Sequence, residues 1–281
     1  MSEKDLVRDL LIKRAEATMS ADFRKKYGSS ELMLVAASGV ELIRDVLKTT
    51  NVLHLGVIAL AKQSAVAKIA LNIPSPLDEA AGEILRRDVA AGEQLGPQAK
   101  AFVDDDFGPL NAITLVSLCA AVEVSLEDTI RAALRFTPGI VDRLQRIGVK
   151  KLDGFKKGDL TYDEACIALR QLKYWARDDA SVPDGVLRML KAVGIDIDVE
   201  EGDKKALREM IYVRNCILHR GHRADGRSSM EAADLELEIG VRFRVSRKSM
   251  GKYCNASLAL VSDVALFLTA SGGQLTVEGL S

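Results

Sequence analysis

The chain has 281 residues, 48% hydrophobic and 28% charged, with 39 lysines and arginines against 40 aspartates and glutamates. That length supports one large domain or two modest ones with a proper core, and a formal charge of −1 excludes a global electrostatic attraction to nucleic acid, so any such surface must be local. The opening MSEKDLVRDLLIKRAE is too charged for a signal peptide, and the most apolar stretch, Val52 to Ile73, is interrupted by His54, Lys62 and Lys68, which argues against a transmembrane span.

The pattern is helical almost throughout. Residues 3–26 and 31–48 read as amphipathic helices, with Ser30 as N-cap of the second. Leu53 to Asn72 is a third, ended by Ile73-Pro74-Ser75-Pro76. Asp78 to Ala91 is another, stopped by Gly92 and followed by a polar link through Gly108-Pro109. The run Asp104-Asp105-Asp106 reads as a solvated connector, and a soft boundary falls there, giving an N-terminal helical region over 1–104 and a second domain over 105–281. Leu110 to Phe136 is apolar nearly all round, so it is expected to be a central buried helix. Its exceptions, Glu123 and Glu127, lie one turn apart on one face.

Thr161-Tyr162-Asp163-Glu164 is a capping box that opens a helix with an inner stripe of Ala165, Ala168, Leu169, Leu172 and Trp175 or Ala176. A short helix from about Pro183 to Val193 ends at Gly194. The next begins near Asp203 and closes at Gly221. Beyond it, Leu235, Leu237, Ile239, Val241, Phe243 and Val245 alternate with polar residues and Gly240, the one clear strand signal. A last amphipathic helix runs from about Ser249 to Ala270. The fold class is therefore all-α with a small β-strand or hairpin element. The four cysteines are far apart with no CxxC pair, as in a reduced, cytoplasmic protein.

EMIYVRNCILHRGH, Glu209 to His222, holds two of the three histidines and places Arg214, Asn215 and His219 near a helix end. An arginine that clamps a phosphate beside a histidine that moves protons near neutral pH is a minimal kit for cutting RNA without metal. On a helical wheel Leu207, Met210, Ile211, Ile217 and Leu218 fall within about 60° of Arg214, which puts the guanidinium in an apolar face where it needs a counter-charge. Glu123, Glu127, a partner chain or a bound phosphate could supply it, and a purely structural ion pair is the plain alternative. Arg208, Tyr212, Asn215 and His219 lie on one polar side, with Arg214 and His219 about 140° apart. Joining them requires Asn215 as a bridge, a distorted last turn, or a second subunit. A lone helix-end histidine such as His219 is more often a partner of the helix C-terminal dipole than a catalyst. Cys216, His219 and His222 run at three-residue spacing, but the first and last are about 9 Å apart along an axis and no fourth ligand is near, so no metal and no cofactor is expected.

Glu209…Arg214-Asn215-Cys216-Ile217-Leu218-His219, followed by Gly221 and Asp225, resembles the Arg-x(4–6)-His signature of the HEPN superfamily, α-helical proteins that include metal-independent endoribonucleases and inactive relatives in toxin–antitoxin and antiviral systems. Leu115–Leu134 resembles the HEPN helix that carries an acidic residue facing the motif arginine, with Glu123 in the matching place. The strand-like segment and closing helix resemble the tail of RiboL-PSP-type HEPN domains. The likeness covers about residues 108–270 and implies a HEPN-like bundle that dimerises with two motif helices lining one cleft. It further implies that His219 and Arg214 cleave RNA by attack of the 2′-hydroxyl, with Asn215 orienting the scissile group and a 2′,3′-cyclic phosphate as product. In the subgroup neutralised by tyrosine modification a Tyr follows the motif His two positions on, where this chain has Gly221.

Glu123, Glu127, Glu209 and Tyr212 are the supporting residues, Tyr212 being placed either to stack a base or to pack. Arg220, Arg223, Arg227, Arg242 and Arg244 form a local basic surface for RNA, or a merely solvated face. The expected partners are RNA, a second copy of the chain and an antitoxin or defence-system protein. The alternative function is a catalytically silent HEPN module serving as dimerisation or RNA-binding adaptor.

Overall fold

The computed structural model describes residues 30–73, 79–152, 155, 160–176, 182–226, 238–272 and 275. The helix expected over 3–26 lies outside them. The protein is all-α: among the described residues the elements are α1 (Glu31–Leu71), α2 (Glu79–Asp104), α3 (Gly108–Phe136), α4 (Ile140–Arg146), α5 (Tyr162–Ala176), α6 (Val182–Ala192), α7 (Glu201–Arg220) and α8 (Arg247–Ala270).

Two expected helices are one. α1 runs unbroken for 41 residues, about 60 Å, through the weak helix formers Thr49, Thr50 and Asn51. Tertiary bonding carries it through: the Thr50 hydroxyl bonds Val46 O at 2.8 Å within the helix and meets Thr114 Oγ1 of α3 at 3.1 Å. The first half of α1 enters the core with Leu32, Ala36 and Ile43 and packs on α3 and α8. A Cβ on Gly39 would come within 2.7 Å of Ser125 Cβ, so glycine sets the closeness of that crossing.

α2 likewise passes the residues expected to stop it. Gly92 is buried, and a Cβ there would lie 2.5 Å from the backbone nitrogen of Ser64. Gly92 serves close helix packing on α1, not termination. Pro97 also sits inside α2, where the preceding residue, Gly96, has no Cβ to clash with its ring. Gln63 donates to Asp88 at 3.0 Å and Lys68 pairs with Glu93 at 2.7 Å, fastening α2 along the second half of α1.

The acidic run is more than a solvated connector. Asp106 and Phe107 adopt φ of +50° and +59°, a costly backbone for residues with side chains, and three interactions hold it. Asp105 pairs with Arg244, Asp106 accepts from the Arg247 backbone N at 2.8 Å, and the Arg247 guanidinium lies 4.4 Å from the centre of the fully buried Phe107 ring. Asn111 completes the knot by donating to Asp106 O and Val245 O, both at 2.8 Å.

α3 is the buried centre, as its all-round apolar pattern predicts, and only scattered positions such as Ile113 and Glu123 are exposed. The capping box forms: Thr161 N donates to Glu164 Oε2 at 2.8 Å and Glu164 N to Thr161 Oγ1 at 3.3 Å. Ala165, Ala168, Leu169, Leu172 and Ala176 are the buried stripe of α5. Gly194 and Gly221 take positive φ past the ends of α6 and α7.

The strand is a correction. Residues 227–237 lie outside the described set, and the remainder, 238–246, forms no strand among the described residues, only isolated bridges pairing Arg223 with Arg242 and Ala224 with Ile239. Gly240 N donates to Ala224 O at 2.8 Å and Phe243 N to His222 O at 3.0 Å, so the segment wraps the end of α7. Alternation requires a neighbouring ladder to become a sheet; Ile239 and Val241 instead stay exposed.

By length and composition, α1, α3 and α8 are each apolar enough to cross a membrane; the apolar window of α1 is only 6% buried, against 56% for α3.

Candidate functional site

α7 is fixed to α8 by a buried carboxylate. Glu209 is 0% exposed and accepts from the Tyr253 hydroxyl at 2.5 Å and from Lys252 Nζ at 2.7 Å. Removing an ionised carboxylate from water is tolerated only with such charge-assisted partners. Around it Ala206, Leu207, Met210, Val213 and Cys216 are buried, while Ile211 and Ile217 are half-buried and Leu218 is 47% exposed.

The buried side of α7 therefore centres on Val213, about 100° from Arg214 on the wheel. Arg214 stands at the edge of that side and not in its middle, as the wheel suggested. Ala206, Val213 and Cys216, which that wheel did not count, are buried together with Glu209, whereas Ile211 and Leu218 are not, and this moves the centre away from Arg214. The residues missed as structural support are Tyr253 and Lys252. A carboxylate in register with Ala206, Val213 and Cys216 was the sequence signal that such partners exist.

Arg214 is half-buried; its Nη1 donates to Asn215 Oδ1 at 3.2 Å, and its Nε is buried with no hydrogen-bond partner. Among the described residues no carboxylate forms an ion pair with it. Glu127, one of its expected counter-charges, pairs with Lys173 of α5. Glu123 is exposed and, with Arg214, acts electrostatically on the buried Cys119 thiol. Burial pushes that thiol up to about 12, Arg214 lowers it and Glu123 raises it. Arginine, carboxylate and thiol thus share one neighbourhood between α3 and α7.

His219 is exposed in the last turn of α7, which stays α-helical through Arg220 before Gly221 caps it at φ +57°. No distorted turn brings His219 round to Arg214, and Asn215 is the intervening side chain, one turn below the histidine. His222, at φ +65°, is half-buried 6.3 Å from the Phe243 ring, and burial, reinforced by Arg242, holds its pKa below the usual value. Cys216 is buried, and no group of three or more metal-ligating side chains is arranged around an ion among the described residues. Tyr212 is half-buried.

The basic residues sit around the end of α7 and are exposed. Arg220 pairs with Asp225 at 2.8 Å, Arg223 Nη1 donates to Gly240 O at 3.0 Å, Arg244 pairs with Asp105, and Arg242 bridges to Arg223 through the backbone. Arg227 lies outside the described residues. Exposed pairs of this kind contribute about 0–1 kcal/mol, so a phosphate competes for these guanidinium groups at small cost. In comparisons with family models, with curated proteins and with solved structures, this chain matches none.

Proposed function

We propose that the protein is a HEPN-type, metal-independent endoribonuclease acting in the cytoplasm as a toxin or antiviral-defence effector. The observation that carries this reading is the half-buried Arg214 guanidinium, steadied by Asn215, with a buried unpartnered Nε and no carboxylate in ion-pair contact with it among the described residues. A half-buried guanidinium with an unused donor and no ion-pair partner is suited to receive an anion, and a phosphodiester fits the bidentate donor geometry of arginine. In this mechanism Arg214 stabilises the charged phosphorane, Asn215 orients the scissile group and His219 takes the 2′-hydroxyl proton or protonates the leaving 5′-oxygen. Because Arg214 and His219 project about 140° apart on one regular helix, the working pocket joins Arg214 and Asn215 of one protomer to the histidine of a second across a two-fold axis. Arg220, Arg223, Arg242 and Arg244 would hold the flanking phosphates.

The test is RNA cleavage in excess EDTA. It should leave 2′,3′-cyclic phosphate ends and be abolished by Arg214→Ala and by His219→Ala, with folding intact. Mixing the two inactive variants should restore part of the activity, because a mixed dimer keeps one complete pocket.

A second reading, the silent HEPN adaptor for dimerisation or RNA binding, is favoured by one observation: the regular last turn leaves His219 exposed and away from Arg214. A broad RNA panel left intact, with Arg214→Ala lowering only the melting temperature, would establish it.

A further inference from the structure

The second half of α1 carries an uncovered seam. Val52, Leu55, Ala59, Lys62, Val66 and Ile69 recur at alternating spacings of three and four, the a and d positions of a heptad pattern. All six are exposed, and the four large apolar ones are between 61% and 68% exposed. The neighbours of α1 lie elsewhere on its circumference: α2 approaches at Leu60 and Ser64, and α3 at Thr50. Single exposed apolar residues are ordinary, but a continuous stripe along a helix marks an interaction surface.

We propose that this stripe is a self-association surface, closed by the same stripe of a second copy of the chain running antiparallel. Two considerations choose that occupant. First, charge suits the stripe to its own copy and selects the orientation. An antiparallel pairing sets Val52 against Ile69, Leu55 against Val66 and Ala59 against Lys62, so every large apolar residue meets another. The one cation lies over a small residue, with its ammonium free to reach water. A parallel in-register pair would press Lys62 onto Lys62. Second, joining two such faces removes on the order of 1,000 Å² from water, the lower edge of a specific interface. This surface is separate from the motif helix and does not depend on the ribonuclease reading.

Full-length protein is examined by sedimentation over a range of concentrations, alongside the doubly substituted Leu55→Glu/Val66→Glu chain. The wild type should associate beyond any motif-helix dimer, and the double variant should weaken that further association by more than about a hundredfold with an unchanged circular dichroism spectrum. Register is read by disulfide trapping: Leu55→Cys mixed with Val66→Cys should cross-link readily, whereas Leu55→Cys alone should not, its copies being about 16 Å apart. A monomeric wild type, an association whose stoichiometry and strength the two glutamates both leave unchanged, or equal cross-linking of Leu55→Cys with itself would each overturn the proposal. So would co-flotation of the wild type with phosphatidylcholine or phosphatidylglycerol vesicles that the double variant loses, since the stripe then serves a lipid surface.

Discussion

The two halves of α1 have similar apolar composition and opposite surroundings. From Leu32 to Ile43 the helix is sunk into the bundle against α3 and α8, with glycine and serine in contact at Gly39 and Ser125. From Val52 onward it touches α2 along one flank and offers large aliphatic residues to water on another. Burial belongs to the assembly of helices and not to a helix, and a long apolar element can be core at one end and surface at the other. The α7–α8 seam shows the converse, where Glu209, a charged residue, is more completely buried than most of the aliphatic ones.

The sharpest way to break the contrast is to empty both regions. Leu118→Ala in the bundle should cost about 2–5 kcal/mol in chemical denaturation, whereas Val66→Ala on the outer half of α1, read at concentrations too low for self-association, should stay within about 0.5 kcal/mol. Comparable losses under those conditions would mean that the stripe is covered within the single chain. Next in size, Glu209→Ala strands the Tyr253 hydroxyl and the Lys252 ammonium and should cost about 3 kcal/mol. A loss no larger than that of a surface carboxylate would show that the buried network holds nothing together. Third, Gly92→Ala drives a methyl group into the Ser64 backbone and should cost roughly 1–3 kcal/mol. Hydrogen exchange should locate the loosening in α1 beyond residue 52 and in α2, leaving α3 protected; spread into α3 would show that the hairpin and bundle unfold as one unit.

The smallest effect is with pH. His54 and His222, one in each region, have pKa values held below 6.5, His54 by burial and Arg247, His222 by burial and Arg242. A depressed histidine binds fewer protons folded than unfolded, so stability is complete above the ordinary value and declines as pH falls below 6.5 towards the folded-state pKa. His54→Gln and His222→Gln should each flatten part of that decline in thermal melts. A steeper decline in either variant would contradict the assigned direction.

Much of the architecture was legible in residue order. The capping box at Thr161 and Glu164, the stripe from Ala165 to Ala176, the terminators Gly194 and Gly221 and the buried α3 depend on local bonding and helical period, which neighbouring residues encode. Around the candidate site, the order of residues shows that Arg214, Asn215 and His219 share a helix and that the last two lie on one side. It could not show that Glu127 is taken by Lys173, or that Asp105 holds Arg244. Those partners are remote along the chain, and which of several carboxylates meets which cation follows from packing.

The misplaced boundaries have a single cause. Gly92, Pro97 and the Thr49–Asn51 run are locally poor helix residues, and local preference is worth about 1 kcal/mol for glycine and about 3 kcal/mol for proline, less than two long helices gain by packing together. Period two from Ile239 to Val245 failed the other way, because an alternating segment stays a loop unless a neighbouring strand supplies the missing hydrogen bonds. Residue order thus dictates which segments coil and which face of each is greasy, since both follow from neighbours a few positions apart. Which greasy face is covered, which charge is buried, and whether a glycine ends a helix or admits another depend on groups brought together from distant parts of the chain.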